Sequence, residues 1–396
     1  MPLFADRLKM AKGDPLLSLI AAYKADPRSD KIDLGVGVYR TEDGQTPVMA
    51  AVKAAEQRLW EIQPSKEYLG PDGDPEFVPA LGVTAFGSLW NRHPAIGLAT
   101  PGGTGALRLA ADLIALVRPG AKVYCAAPTW PNHPPILSAA GLTMTPFDAF
   151  DAARQRFDLA SFEQGVADAR AGDVLLLQGC CHNPLGADPD LEEWRAIADI
   201  VRARRLVPLI DLAYQGLGEG WREDIAGATL VIEAAEEALV AYSCDKNFGL
   251  YRDRVGAIFA FTQAQATADA MLSNLVMMAR TSWSMPPDHG AATVRILLQD
   301  PALKLQWEEE LTSMQRRIAA MRRDASRLHP ALASLALQKG MFSVLPLSPQ
   351  QIVEMRERHG VYMAPSGRIN VAGLTPANLD AFASAMAAVC GAPATV

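Results

Sequence analysis

The sequence lacks the surplus of basic residues that nucleic-acid-binding proteins carry. Its 37 lysines and arginines are outnumbered by 44 aspartates and glutamates, so the net charge is −7 with histidine neutral. No run of basic residues compensates for this balance. Because binding to a phosphate backbone depends on positive charge, we expect no nucleic-acid partner.

Long apolar runs are missing as well. No uninterrupted apolar stretch approaches the ~18 residues that a membrane-spanning helix requires. The first fifteen residues also lack the apolar core of a secretory signal. Charged side chains interrupt them at Asp6, Arg7, Lys9, Lys12 and Asp14. We therefore expect no membrane partner and a cytoplasmic protein.

Cysteine is scarce and poorly spaced for a disulfide framework or a zinc site. The 5 cysteines show no CxxC spacing, and the 6 histidines show no HExxH pattern. Cys180 and Cys181 are adjacent and are interpreted as packing thiols. No metal is expected.

The chain of 396 residues is otherwise of ordinary globular composition, with 49% hydrophobic and 20% charged residues. At ~150 residues per domain, this length predicts two to three domains. Short apolar runs and helical patterns alternate as far as Phe261. The predicted strands are Lys122 to Ala126, Asp173 to Leu177, Leu206 to Ile210, Leu239 to Tyr242 and Val255 to Phe261. The helical patterns between them are Thr104 to Val117, Leu159 to Arg170 and Leu191 to Arg204.

This alternation predicts an α/β fold with a large, mostly parallel sheet flanked by helices on both faces. Helix dominates after Arg280, and a long pattern from Pro301 to Leu328 is typical of a connecting helix. Shorter strand and helix patterns follow, which favour a smaller α+β domain. We expect an N-terminal arm and part of the small domain over residues 1–45, the large domain over 46–300, and the connecting helix with the C-terminal small domain over 301–396. The first helix is expected to start at Asp14–Pro15.

The loop from Ser243 to Gly256 carries the most informative charge pattern. It joins two apolar runs of strand length and holds Lys246 and Arg254. A loop lysine is solvated roughly nine times in ten, since lysine is almost never buried without a partner. Here, however, a hydroxyl at Ser243 and a guanidinium at Arg254 flank the amine. That combination suits a bound phosphate beside a reactive nitrogen.

A second anion site is indicated by the glycine-rich turn from Pro101 to Arg108, which opens a helix. Free backbone N–H groups and the positive end of the helix dipole favour a phosphate there. The spacing is neither GxGxxG nor the Walker motif, so a nucleotide is not indicated. Taken by itself, a plain tight turn remains the more frequent explanation, with roughly one chance in three for an anion site.

Polar residues recur at the ends of predicted strands. Asp211 ends a buried run, and a buried carboxylate is costly unless it meets a cation. Asn183 and Trp130 follow two other runs. Each has an ordinary explanation as a turn or a satisfied polar group, but together they place an acid, an amide and an indole at one edge of the sheet, where ligands of such sheets bind.

Over nearly its whole length the chain resembles the class I, fold-type I aminotransferases that use pyridoxal 5′-phosphate, in their aspartate/aromatic amino acid branch. The likeness is carried by motifs in a fixed order along the chain. They are Asp33–Tyr39, Tyr68–Gly70, Pro101–Arg108, Trp130–His133, Cys180–Pro184, Asp211–Gly216, Lys246–Tyr251 and Ser366–Gly373.

The resemblance implies a catalytic centre of Lys246, Asp211 and Tyr214. Lys246 would carry the cofactor and move the proton at the substrate α-carbon. Asp211, supported by His133, would keep the pyridine nitrogen protonated. The other expected cofactor contacts are Trp130 on the ring face, Asn183 and Tyr214 at the ring oxygen, and a phosphate group of residues: Gly103, Thr104, Ser243, Arg254 and, from a neighbouring subunit, Tyr68.

The implied substrate contacts centre on Arg368, which would clamp the α-carboxylate as a planar, bidentate partner. Further expected contacts are Gly37, Trp130, Asn183 and Phe342. Arg280 of the other subunit would meet the distal carboxylate of a dicarboxylic substrate. Shared sites of this kind imply a homodimer with amino acids and 2-oxo acids as substrates.

The sequence departs from the family pattern at several positions. Asp245 stands where a serine usually donates to the phosphate, and an ionised carboxylate cannot donate. Either Asp245 turns away, or cofactor affinity depends more on Arg254 and the helix N-terminus. Leu185, Cys244 and Met285 replace a common threonine, an aromatic residue and a polar residue. Met285 is flexible and favours a pocket that adapts to bulky rings.

The expected reaction is transamination between an L-amino acid, aspartate or aromatic or both, and 2-oxoglutarate, giving the 2-oxo acid and L-glutamate. A β-lyase or decarboxylase using the same cofactor is the alternative. A catalytically silent binding module is disfavoured by intact Lys246, Asp211 and Arg368. A nicotinamide dehydrogenase is disfavoured by the missing GxGxxG fingerprint.

Overall fold

The strands of the computed structural model are short, and the five predicted apolar runs match β3, β7, β8, β9 and β10 as they are numbered below. The model describes residue 4, residues 8–10, residue 13 and residues 15–391. The strands are β1 (Ile32–Asp33), β2 (Ala95–Pro101), β3 (Lys122–Ala127), β4 (Thr143–Asp148), β5 (Phe150–Asp151), β6 (Arg156–Phe157), β7 (Val174–Gln178), β8 (Val207–Leu212), β9 (Glu237–Ser243), β10 (Val255–Thr262), β11 (Phe342–Val344), β12 (Val361–Tyr362) and β13 (Arg368–Asn370).

Helices fill the connections between these strands. They are α1 (Pro15–Ala25), α2 (Ala50–Ile62), α3 (Phe77–Phe86), α4 (Leu89–Arg92), α5 (Gly102–Val117), α6 (His133–Ala139), α7 (Leu159–Gly165), α8 (Leu191–Arg204), α9 (Glu223–Ala234), α10 (Gln265–Ser282), α11 (His289–Gln299), α12 (Pro301–Ser326), α13 (Pro349–His359) and α14 (Leu379–Cys390). Helix α1 begins at Pro15 as expected, whereas Asp14 lies outside the described residues.

Within the described part of the chain, seven strands form one sheet in the order β2-β10-β9-β8-β7-β3-β4. Strand β10 is antiparallel to both of its neighbours, and the other pairs are parallel. The predicted mostly parallel sheet is therefore confirmed. Strand β2 is antiparallel to β10, and β10 is antiparallel to β9, so the carboxyl end of β2 lies at the same edge as those of β9, β8, β7 and β3.

Successive side chains along a strand are buried on opposite faces of the sheet, because side chains alternate with a period of two residues. On β10, Phe259 packs into the cluster that α2, α3 and α8 cover. Its neighbour Ile258 packs into the cluster on the face covered by α5 and α10. Both faces are thus covered by helices, which explains why the strands are continuous apolar runs rather than alternating ones.

A third apolar cluster lies apart from the two faces of the sheet. It joins Ile32 and Leu34 to the end of α12 and to the segments that follow, including Ile369 and Phe382. Strand β1 pairs with β12, which joins the N-terminal segment to the C-terminal one, and β11 pairs with β13 within the C-terminal segment. This packing agrees with the expected small domain, whose boundaries stay predictions.

No helix among the described residues is long and apolar enough to cross a membrane.

Candidate active site

The carboxyl edge of the sheet encloses a cavity of about 180 Å³. It lies where β2, β7, β8 and β9 end and where β10 begins. Its lining residues are Gly103, Thr104, Leu107, Trp130, Gln178, Asn183, Asp211, Ala213, Tyr214, Ser243, Asp245, Lys246 and Arg254. Most of the residues expected to hold the cofactor are therefore brought together by the parallel topology, although they come from positions as distant as 103 and 254 in the chain.

One end of the cavity is formed by the start of α5. Glycine is required at Gly102, which has a φ of +67° and where a Cβ atom would lie 2.6 Å from Nη2 of Arg254. A Cβ on Gly103 would lie 3.0 Å from Cβ of Ser243. The glycines thus let the guanidinium and the hydroxyl approach the free N–H groups of the helix, a combination of donors that suits a phosphate.

Arg254 enters this end of the cavity from a strained backbone. Its φ is +56°, a left-handed conformation that a side chain with a Cβ atom disfavours by about 1–2 kcal/mol. Its Nη1 donates to Tyr251 O at 3.3 Å and to Asp245 Oδ2 at 2.5 Å. Of the two alternatives for Asp245, turning away is therefore wrong: the carboxylate is 4% exposed and lines the cavity.

Asp211 is held at the opposite end by a chain of hydrogen bonds. Its Oδ2 lies 3.0 Å from Nε2 of His133, whose Nδ1 lies 2.7 Å from the Thr129 hydroxyl. An ionised carboxylate only accepts, so Nε2 carries the proton and Nδ1 accepts from Thr129. This chain fixes the carboxylate of Asp211 in one orientation, at the end of β8.

Lys246 projects between these two ends. Its Nζ lies 5.3 Å from the centre of the Tyr214 ring and 3.9 Å from Asp245 Oδ2. Burial lowers the pKa of Lys246; Asp245 and Asp211 oppose this shift, and Arg254 adds to it. A lowered pKa increases the neutral fraction of the amine, which is the form that reacts with an aldehyde or accepts a proton.

Asn183 and Tyr214 form a polar wall beside the lysine. Asn183 Nδ2 donates to the Tyr214 hydroxyl at 3.3 Å. Burial and then the charge of Asp211 raise the pKa of Tyr214, so the phenol keeps its proton. Trp130 lines the same cavity and packs edge-on against His133, with ring centroids 5.3 Å apart.

Sequence reasoning missed Gln178, which is the residue that orients Asn183. Its Oε1 accepts from Asn183 N at 2.8 Å, and its Nε2 donates to Asn183 O at 2.9 Å. The signal was available, because Gln178 is a polar residue at the end of a buried strand, the same feature that singled out Asp211. Gly35 lies in the motif Asp33–Tyr39 but was not among the predicted site residues, because residue type does not show which carbonyl accepts a hydrogen bond.

The Gly35 carbonyl belongs to the environment of Arg368, which contains neutral groups. Its Nη2 donates to Gly35 O at 3.0 Å, and its Nη1 donates to Asn183 Oδ1 at 3.3 Å. Its Nε is buried and has no hydrogen-bond partner among the described residues. The guanidinium lies 4.7 Å from the ring centre of Phe342. Burial lowers the pKa of Arg368, which is the cost of a cation that meets no anion in the described chain.

Gly37 packs against the same ring. A Cβ atom there would lie 2.9 Å from Cζ of Phe342, so only glycine permits this approach. Phe342 also packs edge-on against Tyr214 at 5.7 Å. The expected substrate contacts Gly37, Phe342 and Arg368 therefore adjoin the cavity through Asn183 and Tyr214.

Tyr68 and Arg280, which were expected to act from a neighbouring subunit, lie on the surface. Tyr68 is 92% exposed, and Arg280 is exposed at the end of α10, where it donates to Ser284. Neither lines the cavity of its own chain. Their assigned roles stay predictions.

The remaining departures from the family pattern lie around the site. Leu185 and Cys244 are buried. Met285 Sδ accepts from Leu69 N at 3.3 Å, which places this methionine beside the segment that carries Tyr68. Its effect on specificity stays a prediction.

Cys180 and Cys181 lie close to Asp224, with one atom of each residue within 4.8 Å of the others. The carboxylate of Asp224 already accepts backbone N–H groups of Gly216, Gly218 and Glu219. The hydrogen bond with Cys180, together with burial, raises the pKa of the Cys181 thiol. Both observations agree with packing thiols.

The cofactor implied by the resemblance fits these residues. A phosphate matches the Gly102 cradle with Arg254, a ring nitrogen that carries a proton matches Asp211, and an aldehyde matches the largely buried amine of Lys246. The orphaned Nε of Arg368 then provides a donor for a carboxylate beside the ring.

Comparisons with known proteins agree with the site. The family model described as "Aminotransferase class I and II" matches residues 29–386. A tyrosine aminotransferase of Rhizobium meliloti is 49% identical over 94% of this chain and 96% of its own length. An aspartate aminotransferase of Salmonella typhi is 41% identical over 97% of this chain and 99% of its own length.

A solved structure is similar throughout. The aromatic-amino-acid aminotransferase from Burkholderia pseudomallei, covalently bound to pyridoxal phosphate, has a TM-score of 0.95 and 36% identity. The match covers 98% of this chain and 100% of that one.

Proposed function

The chain belongs to the family of class I and II aminotransferases, and from this membership we propose that it transfers the amino group of aspartate, an aromatic amino acid or both to 2-oxoglutarate. The products are the corresponding 2-oxo acid and L-glutamate. The enzyme is an aminotransferase whose cofactor is pyridoxal 5′-phosphate. The observation that carries the proposal is the convergence of Lys246 and Asp211 on one cavity. Arg368, which has no ion-pair partner in the described part of the chain, is joined to the wall of this cavity through Asn183.

The residues divide the work of the reaction. When bound, pyridoxal phosphate withdraws electrons from the substrate α-carbon. Lys246 Nζ then accepts the proton that leaves this carbon, and its lowered pKa keeps it available as a base. Tyr214, whose phenol stays protonated, donates a hydrogen bond toward an oxygen bound in front of Asn183.

Asp211 would hold a protonated ring nitrogen of the bound cofactor through its negative charge. The hydrogen bond from His133 holds its Oδ2, which leaves the other oxygen free to accept from the nitrogen. Holding that proton stabilises negative charge that develops during deprotonation of the substrate. Trp130 provides an apolar face for the ring.

Arg368 binds the carboxylate that every α-amino acid carries. The Nε of its planar guanidinium has no partner among the described residues, and Nη1 and Nη2 each donate to only one neutral acceptor. N–H groups therefore remain for two parallel charge-assisted bonds to a carboxylate. Phe342 and the Gly37 segment close the space around it. Binding there orients the substrate α-carbon toward Lys246.

We also propose a homodimer with shared active sites. This is supported by Tyr68 and Arg280, which are exposed on the single chain although their roles require contact with phosphate and substrate. Large apolar side chains of the same part of the sequence are exposed as well, among them Trp60 at 82% and Leu69 at 49%. A dimer of this kind buries such surface. The small domain of residues 1–45 and 301–396, the large domain of residues 46–300 and the cytoplasmic location belong to the same proposal.

An absorption spectrum of the purified protein tests the proposal. We expect a band from the Lys246-bound cofactor, and its decay after separate additions of aspartate, phenylalanine and tyrosine ranks these substrates. Product analysis should find one 2-oxo acid per glutamate formed. Pyruvate or CO2 in stoichiometric amounts would instead identify a β-lyase or a decarboxylase.

A further inference from the structure

The phosphate end of the cavity already contains an anion of the protein's own. The carboxylate of Asp245 is 4% exposed and lines the cavity together with Gly103, Thr104 and Ser243. Its backbone N–H donates to the Ser243 hydroxyl at 3.3 Å, which ties the residue to this end. A buried carboxylate is costly unless it is paired, and its partner here is the residue expected to hold the phosphate.

That partner is Arg254. Its Nη1 donates to Asp245 Oδ2 at 2.5 Å, and the next cation, Nζ of Lys246, lies 3.9 Å from the same oxygen. The other oxygen, Oδ1, is buried and has no hydrogen-bond partner in the described chain. Asp245 therefore neutralises the guanidinium but is itself only half satisfied.

We propose that Asp245 acts as an internal competitor of the cofactor phosphate for Arg254, so that the protein binds its cofactor more weakly than the same cradle would without this carboxylate. The inference rests on the proposed function, since the phosphate belongs to pyridoxal phosphate. Two anions in one cradle repel each other. When they share the guanidinium of Arg254, each also receives fewer charge-assisted hydrogen bonds from it. Without the cofactor, the ion pair stabilises the empty cradle; with it, the carboxylate opposes binding.

The competition makes two measurable quantities move in opposite directions. Removing the carboxylate takes away the ion-pair partner of Arg254, whose side chain is 41% exposed, so the melting temperature of the cofactor-free protein should fall slightly. The same change removes the repulsion in the holoenzyme, which should tighten cofactor binding. A purely structural role of Asp245 would weaken both.

The test uses Asp245→Asn, which keeps the shape of the side chain, and Asp245→Ser, which is smaller and can donate. Release of pyridoxal phosphate from each holoenzyme is followed by absorbance during serial dilution and dialysis. We expect both variants to hold the cofactor about tenfold or more tightly than the parent protein. Asp253→Asn, which changes a carboxylate of the same loop outside the cavity lining, is the matched control and should leave the dissociation constant unchanged.

Inorganic phosphate provides a second probe that needs no reaction with Lys246. After the cofactor has been removed, about 10 mM phosphate should raise the melting temperature of both Asp245 variants more than that of the parent protein, because a ligand that binds the folded state stabilises it in proportion to its affinity. Equal or weaker cofactor binding in both variants, with no change in the phosphate response, would overturn the inference. If the parent protein binds no pyridoxal phosphate through Lys246 at all, it is the proposed function that fails.

Discussion

The cofactor side and the substrate side of the site are charged in opposite senses. On the cofactor side, Asp211 is a carboxylate with no lysine or arginine within ion-pair distance among the described residues, and its hydrogen bond comes from His133. On the substrate side, Arg368 is a guanidinium whose neighbours are a carbonyl, an amide and an aromatic ring. Each side therefore presents a charge that no oppositely charged lysine, arginine, aspartate or glutamate of the described residues pairs with.

The difference explains what each side selects. A buried, unpaired charge is costly, and that cost is recovered when a ligand of opposite charge arrives. Asp211 thus favours a protonated nitrogen, and Arg368 favours a carboxylate. Arg254 shows the contrasting case, because Asp245 already neutralises it within the chain.

Lys246 serves both sides, so removing its amine should give the largest effect. Lys246→Ala is expected to lower kcat by about 10⁴-fold for every amino acid, because it removes the base at the α-carbon. Stopped-flow and steady-state rates with aspartate and tyrosine provide the measurement. Lys53→Ala, which changes an exposed lysine on α2, is the control. Turnover within tenfold of the parent enzyme would refute the assigned role.

Replacing Asp211 by asparagine should affect the cofactor side alone. The change leaves a protonated ring nitrogen without its counter-charge, which costs about 3–5 kcal/mol and lowers kcat by roughly 10²–10⁴-fold. Substrate KM should change little, because Arg368 is untouched. Asp148→Asn alters an exposed aspartate at the end of the edge strand β4 and serves as the control. A loss confined to KM would contradict this division.

Replacing Arg368 by lysine should affect the substrate side alone. Lysine keeps the charge but loses the planar pair of donors, so kcat/KM should fall by roughly 100-fold, near the upper end of the ~1.5–3 kcal/mol that one charge-assisted bond contributes. The loss should be equal for aspartate and tyrosine, since both carry an α-carboxylate, and cofactor content should stay normal. Arg317→Lys, whose parent guanidinium donates to carbonyls of Ala372 and Leu374, is the matched control. A loss of bound cofactor in Arg368→Lys would contradict the assignment of Arg368 to substrate binding alone.

Replacing Arg280 by alanine should give the smallest and most selective effect. We expect dicarboxylic substrates to slow by ~10–100-fold, from ~1.5–3 kcal/mol for a charge-assisted bond, while aromatic substrates change far less. Rates with aspartate and phenylalanine measure the selectivity.

The Arg280 prediction also tests the shared site. Hybrid dimers of Arg280→Ala and Lys246→Ala subunits should recover activity toward aspartate, because one site then has both residues intact. Equal losses for both substrate classes, or no recovery in the hybrids, would contradict a contribution from the second subunit.

Local sequence signals predicted some elements well. The bounds of α8 agree with the predicted range Leu191 to Arg204, because this helix starts with a capping box at Asp190. Helix α7 was predicted to reach Arg170 but ends at Gly165, where a glycine packs so closely on Phe147 that a Cβ atom would lie 2.1 Å from its ring. Strands β2 and β4 were missed because the run at Ala95 contains glycine and proline and β4 is largely polar and exposed on the edge.

The sequence by itself determined the family, the sheet and the chemical types at the strand ends, because apolar period, capping and motif order are written in neighbouring residues. It did not determine the partners of those residues. The tertiary structure decided these partners. Gln178 holds Asn183, the Gly35 carbonyl accepts from Arg368, and Asp245 pairs with Arg254. Parallel strands bring their carboxyl ends to one edge from distant parts of the chain. The distances between side chains at that edge determine which charges form ion pairs and which remain available to a ligand.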